Sequence, residues 1–309
     1  MRLSRRIAVL CIVACSVCAA IPPPAAQARG RWRERLAERV AQRRTESVDP
    51  ADLPGNVKIW RDQAYGSDRA QRFDVYAPRG ATHAPTLFLV HGGGWKRGDK
   101  QAANVVTAKV RHWTAQGYVV ISANYRMLPD ADPLTQARDV AAAIASAQRD
   151  SARWGGDPDR FVLAGHSAGA HLGALLAATP TALAQAHARP LRGALLLDSA
   201  ALDTEALMAR PHPKLYDEAF GPDRSYWRAA SPVAQLTAPG VPMLVVCSTQ
   251  RANACPQAHA FVAKAQRLGR RAQVLEQDLG HGDINAALGE PSAYTAAVDR
   301  FLQSLQPQA

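Results

Sequence analysis

From about position 57 onward, short apolar runs alternate with longer alanine-rich stretches in which apolar positions recur at helical spacing. Strands are expected at 72–77, 86–91, 118–122, 161–164, 194–197, 243–247 and 272–277. Helices are expected at 102–115, 133–153, 168–178, 257–268 and 293–305. Runs such as "LFLV" and "MLVV" are apolar throughout rather than alternating, as strands covered on both faces are. The regular strand–helix alternation predicts an α/β fold, with a mostly parallel central sheet and helices on both faces. In such sheets ligands lie beyond the carboxyl ends of the strands, so the loops that follow strands are where chemistry is expected.

Upstream the pattern changes. Arg2, Arg5 and Arg6 precede an apolar stretch, 7–21, that is too short to span a bilayer. Pro22, Pro23 and Pro24 follow, then small residues at Ala26 and Ala28. This predicts a secretory signal peptide over 1–28, cut after Ala28, and a secreted or periplasmic protein. "IVAC", 12–15, offers a rival cut of the lipoprotein type that would leave Cys15 lipidated. Residues 29–55 end in "DPADLPG" and read as a basic linker, leaving 56–309 as one catalytic domain. The length of 309 residues suits one large α/β domain with a well-buried core.

Charge changes the picture little. The formal net charge is +11, but ten Arg and only two Glu lie in residues 1–44. The remainder carries 27 basic and 24 acidic residues, so the body is nearly balanced and no nucleic-acid role is implied. The basic stretch 29–46 reads as a solvated spacer, with weak contact to an anionic envelope or membrane surface as the alternative. Cys11, Cys15 and Cys18 fall in the leader, and only Cys247 and Cys255 remain. An even pair in an oxidising compartment fits a disulfide; two buried free thiols are the alternative.

Three strand-end loops carry candidate chemistry. "FVLAGHSAGAHLGALLAA" places Gly165-His166-Ser167-Ala168-Gly169 between a strand and a helix. In a turn that tight, small residues must flank the serine, its hydroxyl stands exposed, and the following amide faces the reacting oxygen. "TLFLVHGGGWKRGD" runs a buried strand into His91, Gly92, Gly93, Gly94 and Trp95. Glycines let backbone N–H groups face a ligand, so Gly93, Gly94 and Ala168 are expected to form an oxyanion hole. "LEQDLGHGDINAALG" follows the last strand and holds His281, the expected base for the Ser167 proton. His91 and His166 are expected to support the backbone, and His171 to point away from the turn. No metal and no cofactor are implied: the histidines lack H-E-x-x-H spacing and there is no nucleotide loop.

"HGGGW", "NYRMLP", "WGGDPDRFVLAGHSAGAHLG" and "LGHGDINAALG" together resemble the α/β-hydrolase esterases of the hormone-sensitive-lipase and feruloyl/acetyl-xylan-esterase-like groups. The similarity runs from about Val57 to the C-terminus. It implies the α/β-hydrolase fold and serine hydrolysis of small-molecule carboxylic esters through an acyl-enzyme. It also implies Ser167 as nucleophile, His281 as base, and Gly93, Gly94 and Ala168 as oxyanion donors.

One position departs from the pattern. The resemblance places the triad acid in the loop after strand 243–247, where "STQRANACP" carries Asn253; no Asp or Glu lies between Asp223 and Glu276. Three readings stay open. Asn253 serves as the third member, orienting the imidazole without supplying charge. Alternatively the acid has moved to "ALLLDSAALD", which puts Asp198 at a strand end and Asp203, the alternative acid, a few residues on. Otherwise the scaffold has lost catalysis and acts as a cell-envelope binding protein. A polar cap or a salt-bridge partner is the ordinary role for a loop aspartate such as Asp203. Asp278 and Asp283 sit too close to His281 in sequence to turn round to it. A Cys247–Cys255 bond would pin both ends of the Asn253 loop. A formamidase or amidase using the same serine is a further alternative, and residues 198–232 are expected to form a small insertion over the site.

Overall fold

The computed structural model describes residues 46–238 and 240–306. The signal-peptide and lipoprotein expectations and the basic part of the linker lie outside the described residues. Eight strands form one sheet: β1 (Val57–Ala64), β2 (Arg72–Pro78), β3 (Ala84–Val90), β4 (Val119–Ala123), β5 (Gly156–His166), β6 (Gly193–Leu197), β7 (Met243–Ser248) and β8 (Ala272–Gln277). Their order is β1-β2-β4-β3-β5-β6-β7-β8. β1 and β2 pair antiparallel at one edge, β2 meets β4 antiparallel, and every later pairing is parallel. β1 is absent from the sequence expectation because "VKIWRDQA" carries charges and lies half exposed at the edge, where charge discourages further strand pairing.

Five longer helices cover the sheet: α1 (Ala103–Ala115), α2 (Pro133–Asp150), α3 (Ala168–Ala178), α4 (Ala254–Arg267) and α5 (Ala293–Gln303). The apolar strand β3 shows why both faces must be covered. Leu87 and Leu89 pack with Val106 and Trp113 of α1 and Val298 and Leu302 of α5. Phe88 and Val90 point the other way, to Val140 and Ile144 of α2 and Leu172 of α3. Each such fully buried side chain contributes about 1.5–3 kcal/mol. α3, "AGAHLGALLAA", is apolar all round and all of it is buried, the expected outcome for a helix without a polar face. Phe261 of α4 packs on Met243 and Val245 of β7 beside the α3 alanines.

Local chemistry sets the helix ends. The Asp132 carboxylate accepts from the Thr135 amide at 2.8 Å, and Pro133 occupies the first turn of α2. The helix expected over 133–153 stops at Asp150; a 3₁₀ turn, Ser151–Trp154, follows and closes at Gly155 with φ 75°. α4 begins at Ala254, before the expected 257, because Pro256 falls in its first turn, where a missing N–H costs nothing. The linker expectation is corrected at its C-terminal end. Val48 and Leu53 are buried, and the Val48 amide donates to the Gln101 carbonyl at 2.7 Å, so residues 46–55 belong to the folded body. The insertion over 198–232 consists of short helices, of which Lys214–Phe220 lies against the glycine-rich loop.

Candidate active site

The loops after β3, β5, β6, β7 and β8 converge at the carboxyl edge of the parallel strands, around a cleft of about 640 Å³. Ser167 stands between β5 and α3 with φ 56° and ψ −116°. Side-chain-bearing residues rarely adopt such a backbone, and its cost must be met by the surrounding packing. Glycines make the turn sterically possible. A Cβ on Gly165 would collide with the Gly169 carbonyl, and one on Gly169 with the carbonyls of Val90 and His91. The Ser167 amide donates to the Leu197 carbonyl at 2.9 Å, which ties the turn to the end of β6.

His281 opens a short helix, His281–Ala286, just after β8. The Ser167 hydroxyl donates to His281 Nε2 at 2.9 Å. His281 Nδ1–H donates to Asp198 Oδ2 at 2.6 Å. Asp198 directly follows β6, with φ 54°, a left-handed conformation that Asp tolerates better than most residues. Its carboxylate is fully buried and satisfied on both oxygens. Oδ1 accepts the Ser248 amide at 2.9 Å, and Oδ2 also accepts Arg251 Nη1 at 2.7 Å. Burial alone would push the Asp198 carboxyl up. The bond from His281, the Arg251 charge and the Ser248 amide together hold it below the usual carboxylate range.

The two candidates for the third member, Asn253 and Asp203, do not reach the imidazole. Asn253 is exposed at the start of α4 and makes no hydrogen bond to His281; its loop turns Arg251, not Asn253, toward the site. Asp203 caps the short helix Thr204–Met208, its carboxylate accepting the Ala206 amide at 3.0 Å. The residue that meets His281 is Asp198, and the signal for it was present: it sits right at the end of a fully apolar strand, whereas Asp203 lies five residues further on. Arg251 and Ser248 carried no recognisable motif. Cys247 and Cys255 are disulfide-bonded across eight positions, closing the loop that holds both. A loop that short contributes about 2–3 kcal/mol by restricting the unfolded chain.

The amides of Gly93, Gly94 and Ala168 make no hydrogen bond within the described residues and line the cleft beside Ser167. At Gly93 φ is 122°, and a Cβ there would run into the Arg97 carbonyl. The loop is braced from behind. His91 Nδ1–H donates to the Gly92 carbonyl at 2.8 Å, and its ring stacks on Tyr125 at 4.6 Å. Tyr125 Oη–H donates to the His91 carbonyl at 3.0 Å. Trp95, buried at φ 59°, donates through Nε1–H to His171 Nδ1 at 3.2 Å, while His171 Nε2–H donates to the Ala230 carbonyl at 2.8 Å. His166 Nε2–H donates to the His281 carbonyl at 2.8 Å and so fixes the backbone at His281.

These supporting histidines are neutral. Burial, with the nearby His281 adding to it, pushes His166 down to about 3. Burial pushes His171 down to about 4. In the unfolded chain both titrate near 6.5. Below that pH the unfolded chain takes up protons that the folded one refuses, so stability falls until the folded values are reached, by up to about 1.4 kcal/mol per pH unit for each ring. The urea midpoint is expected to drop clearly between about pH 6.5 and about pH 5. A midpoint unchanged over that interval would contradict the neutral, buried assignment.

The strand order and the serine–histidine–aspartate arrangement at the strand ends define an α/β-hydrolase. Residues 73–252, more than half of the chain, match the BD-FAE family, and the chain belongs to it. Among curated proteins it is 37% identical over 117 residues to Esterase LipC of Mycobacterium tuberculosis, covering 37% of this chain and 28% of that one. It is 31% identical over 140 residues to Lipase 2 of Moraxella sp., covering 43% and 32%. The chain thus spans about a third of the length of the curated relatives it matches. Among solved structures, Esterase B from Lactobacillus rhamnosis superposes with a TM-score of 0.70 at 21% identity, over 91% of this chain and 93% of that one. A truncated carbohydrate esterase from gut microbiota gives a TM-score of 0.68 at 16% identity, over 84% and 99%. At those identities the likeness concerns the fold.

Proposed function

We propose that the protein is a serine hydrolase of small-molecule carboxylic esters, with Ser167 as nucleophile, His281 as base and Asp198 as acid. The observation that carries this reading is the unbroken relay Ser167 Oγ–His281 Nε2, 2.9 Å, and His281 Nδ1–Asp198 Oδ2, 2.6 Å, facing the free amides of Gly93, Gly94 and Ala168. As Oγ bonds to the ester carbon, Nε2 takes the hydroxyl proton and the carbonyl electrons move to an oxyanion between the amides. Each such donor is worth about 3 kcal/mol to the transition state. Collapse breaks the C–O bond, and the alcohol leaves with the proton from Nε2. Water, activated by the same nitrogen, then releases the acid and regenerates Ser167. Asp198 keeps the imidazole in the tautomer with Nδ1–H and stabilises the imidazolium. The esterase and lipase names among the relatives support this choice over amide hydrolysis and over a non-catalytic role.

The test is intact-mass analysis after mixing with a short-chain 4-nitrophenyl ester. An acyl adduct mapped to Ser167 is expected. Ester turnover with no adduct, and no loss of rate when Ser167 is replaced, would refute the reading.

Export to a secreted or periplasmic location is part of the same proposal. It draws on the leader-like pattern over 1–28 and on the Cys247–Cys255 bond, which suits an oxidising compartment. Lipid attachment at Cys15 and weak envelope contact through the basic linker are its finer alternatives. Sequencing the N-terminus of the mature protein separates them: a start at Arg29 is expected, and a start at Cys15 signifies the anchored form.

A further inference from the structure

Arg251 has a second edge that the triad does not use. Its Nη1 donates to the Asp198 carboxylate at 2.7 Å and to the Asp198 carbonyl at 3.1 Å. Nη1 also lies 3.0 Å from His281 Nδ1, because the two donors share one acceptor oxygen. Those contacts hold the guanidinium plane in place. Nε and Nη2 make no hydrogen bond among the described residues. The side chain is 29% exposed and lines the cleft together with Ser167, Ser199, Ala200 and Tyr216. The His281 ring links it to the Ser167 hydroxyl, with 3.0 Å from Nη1 to Nδ1 and 2.9 Å from Nε2 to Oγ.

The charge balance is unusual for such a relay. A buried Asp beside a neutral His ordinarily leaves the site one negative charge. Here the Arg251 charge cancels that of Asp198, so the resting site is neutral. The other ionised groups lining the cleft are Arg97 and Asp99, of opposite sign, and the Asp99 carboxylate is occupied by the Asn124 side-chain amide and the Gln101 amide. A rigid guanidinium with a free two-donor edge, beside small residues that leave room, matches a carboxylate in a planar, bidentate way.

We propose that Arg251 selects substrates, binding a carboxylate on the acyl part of the ester so that half-esters of short dicarboxylic acids are preferred over neutral esters of the same length. This rests on the hydrolase reading above. Arg251 also positions Asp198, so its replacement lowers turnover of every ester. Selectivity is therefore the readout that a merely structural role would not move.

The experiment compares kcat/KM for monomethyl glutarate and methyl pentanoate in the wild type and in Arg251→Gln and Arg251→Lys. The wild type is expected to favour the half-ester by about tenfold or more. That ratio should shrink as salt is raised. It should collapse toward one in Arg251→Gln and be kept only in part by Arg251→Lys. A wild-type ratio near one, or a ratio that Arg251→Gln leaves unchanged, overturns the proposal while ester turnover itself stands. Calorimetry on Ser167→Ala with the same two esters reads binding without chemistry, so it decides the matter even if turnover is absent. Tighter binding of monomethyl glutarate, lost on adding Arg251→Gln, supports the assignment; equal binding of the two sinks it.

Discussion

Replacing Asp198 with Asn is expected to lower kcat by about 10⁴-fold, the scale seen when the acid of a serine–histidine–aspartate relay becomes an amide. The reason is local. His281 Nδ1–H donates to Oδ2 of a fully buried carboxylate whose other oxygen already takes the Ser248 amide. An amide there can present its NH₂ to Nδ1, turning the ring to the tautomer whose Nε2 carries the proton, and Nε2 must be bare to accept from Ser167. Arg251 would also be left beside a neutral group, so the comparison is made on variant protein whose circular dichroism matches the wild type. By contrast, Asn253→Asp and Asp203→Asn should each leave kcat within a few-fold. Asn253 is exposed just before α4, and Asp203 serves as a helix cap, a role that Asn fills about as well. A gain in rate from Asn253→Asp, or a collapse in Asp203→Asn, would move the acid away from Asp198.

Ser167→Ala should reduce kcat by about 10⁶-fold, since removing the nucleophile disables the relay as a whole. Labelling by a fluorophosphonate should vanish with it. The methyl of Ala fits the same turn, so the fold should persist: the left-handed backbone at 167 is enforced by Gly165, Gly169 and the bond from the 167 amide to Leu197, none of which needs the hydroxyl. Residual labelling of the variant at another residue, or unchanged turnover, would place the nucleophile elsewhere.

The strands and helices that build the centre of the sheet were readable in the chain because burial on both faces leaves them uniformly apolar. That pattern sets 194–197 and 243–247 within a residue of β6 and β7. β1 was not readable, since an exposed edge strand gains from charge and loses the pattern. The serine turn and the glycine run were legible for a steric reason: backbone approach as close as that at Gly165 and Gly169 admits no other residue. The acid was legible only as a choice among candidates, because its place depends on which strand-end loop reaches the imidazole in space. The chain offers Asp198 and Asp203 five positions apart, and only the fold shows that the first ends β6 beside β7 while the second starts a helix. Arg251 was invisible for a related reason. A lone arginine in a loop is ordinary until the Cys247–Cys255 bond and the Asp198 carboxylate are seen to fix it.

The most direct measurement on the central claim is the proton resonance of His281 Nδ1–H in ¹⁵N-histidine-labelled protein. A strongly downfield signal coupled to Nδ1 is expected in the wild type, lost or moved well upfield in Asp198→Asn and unchanged in Asn253→Ala. A signal that survives Asp198→Asn, or that answers to Asn253 instead, would contradict the relay described above.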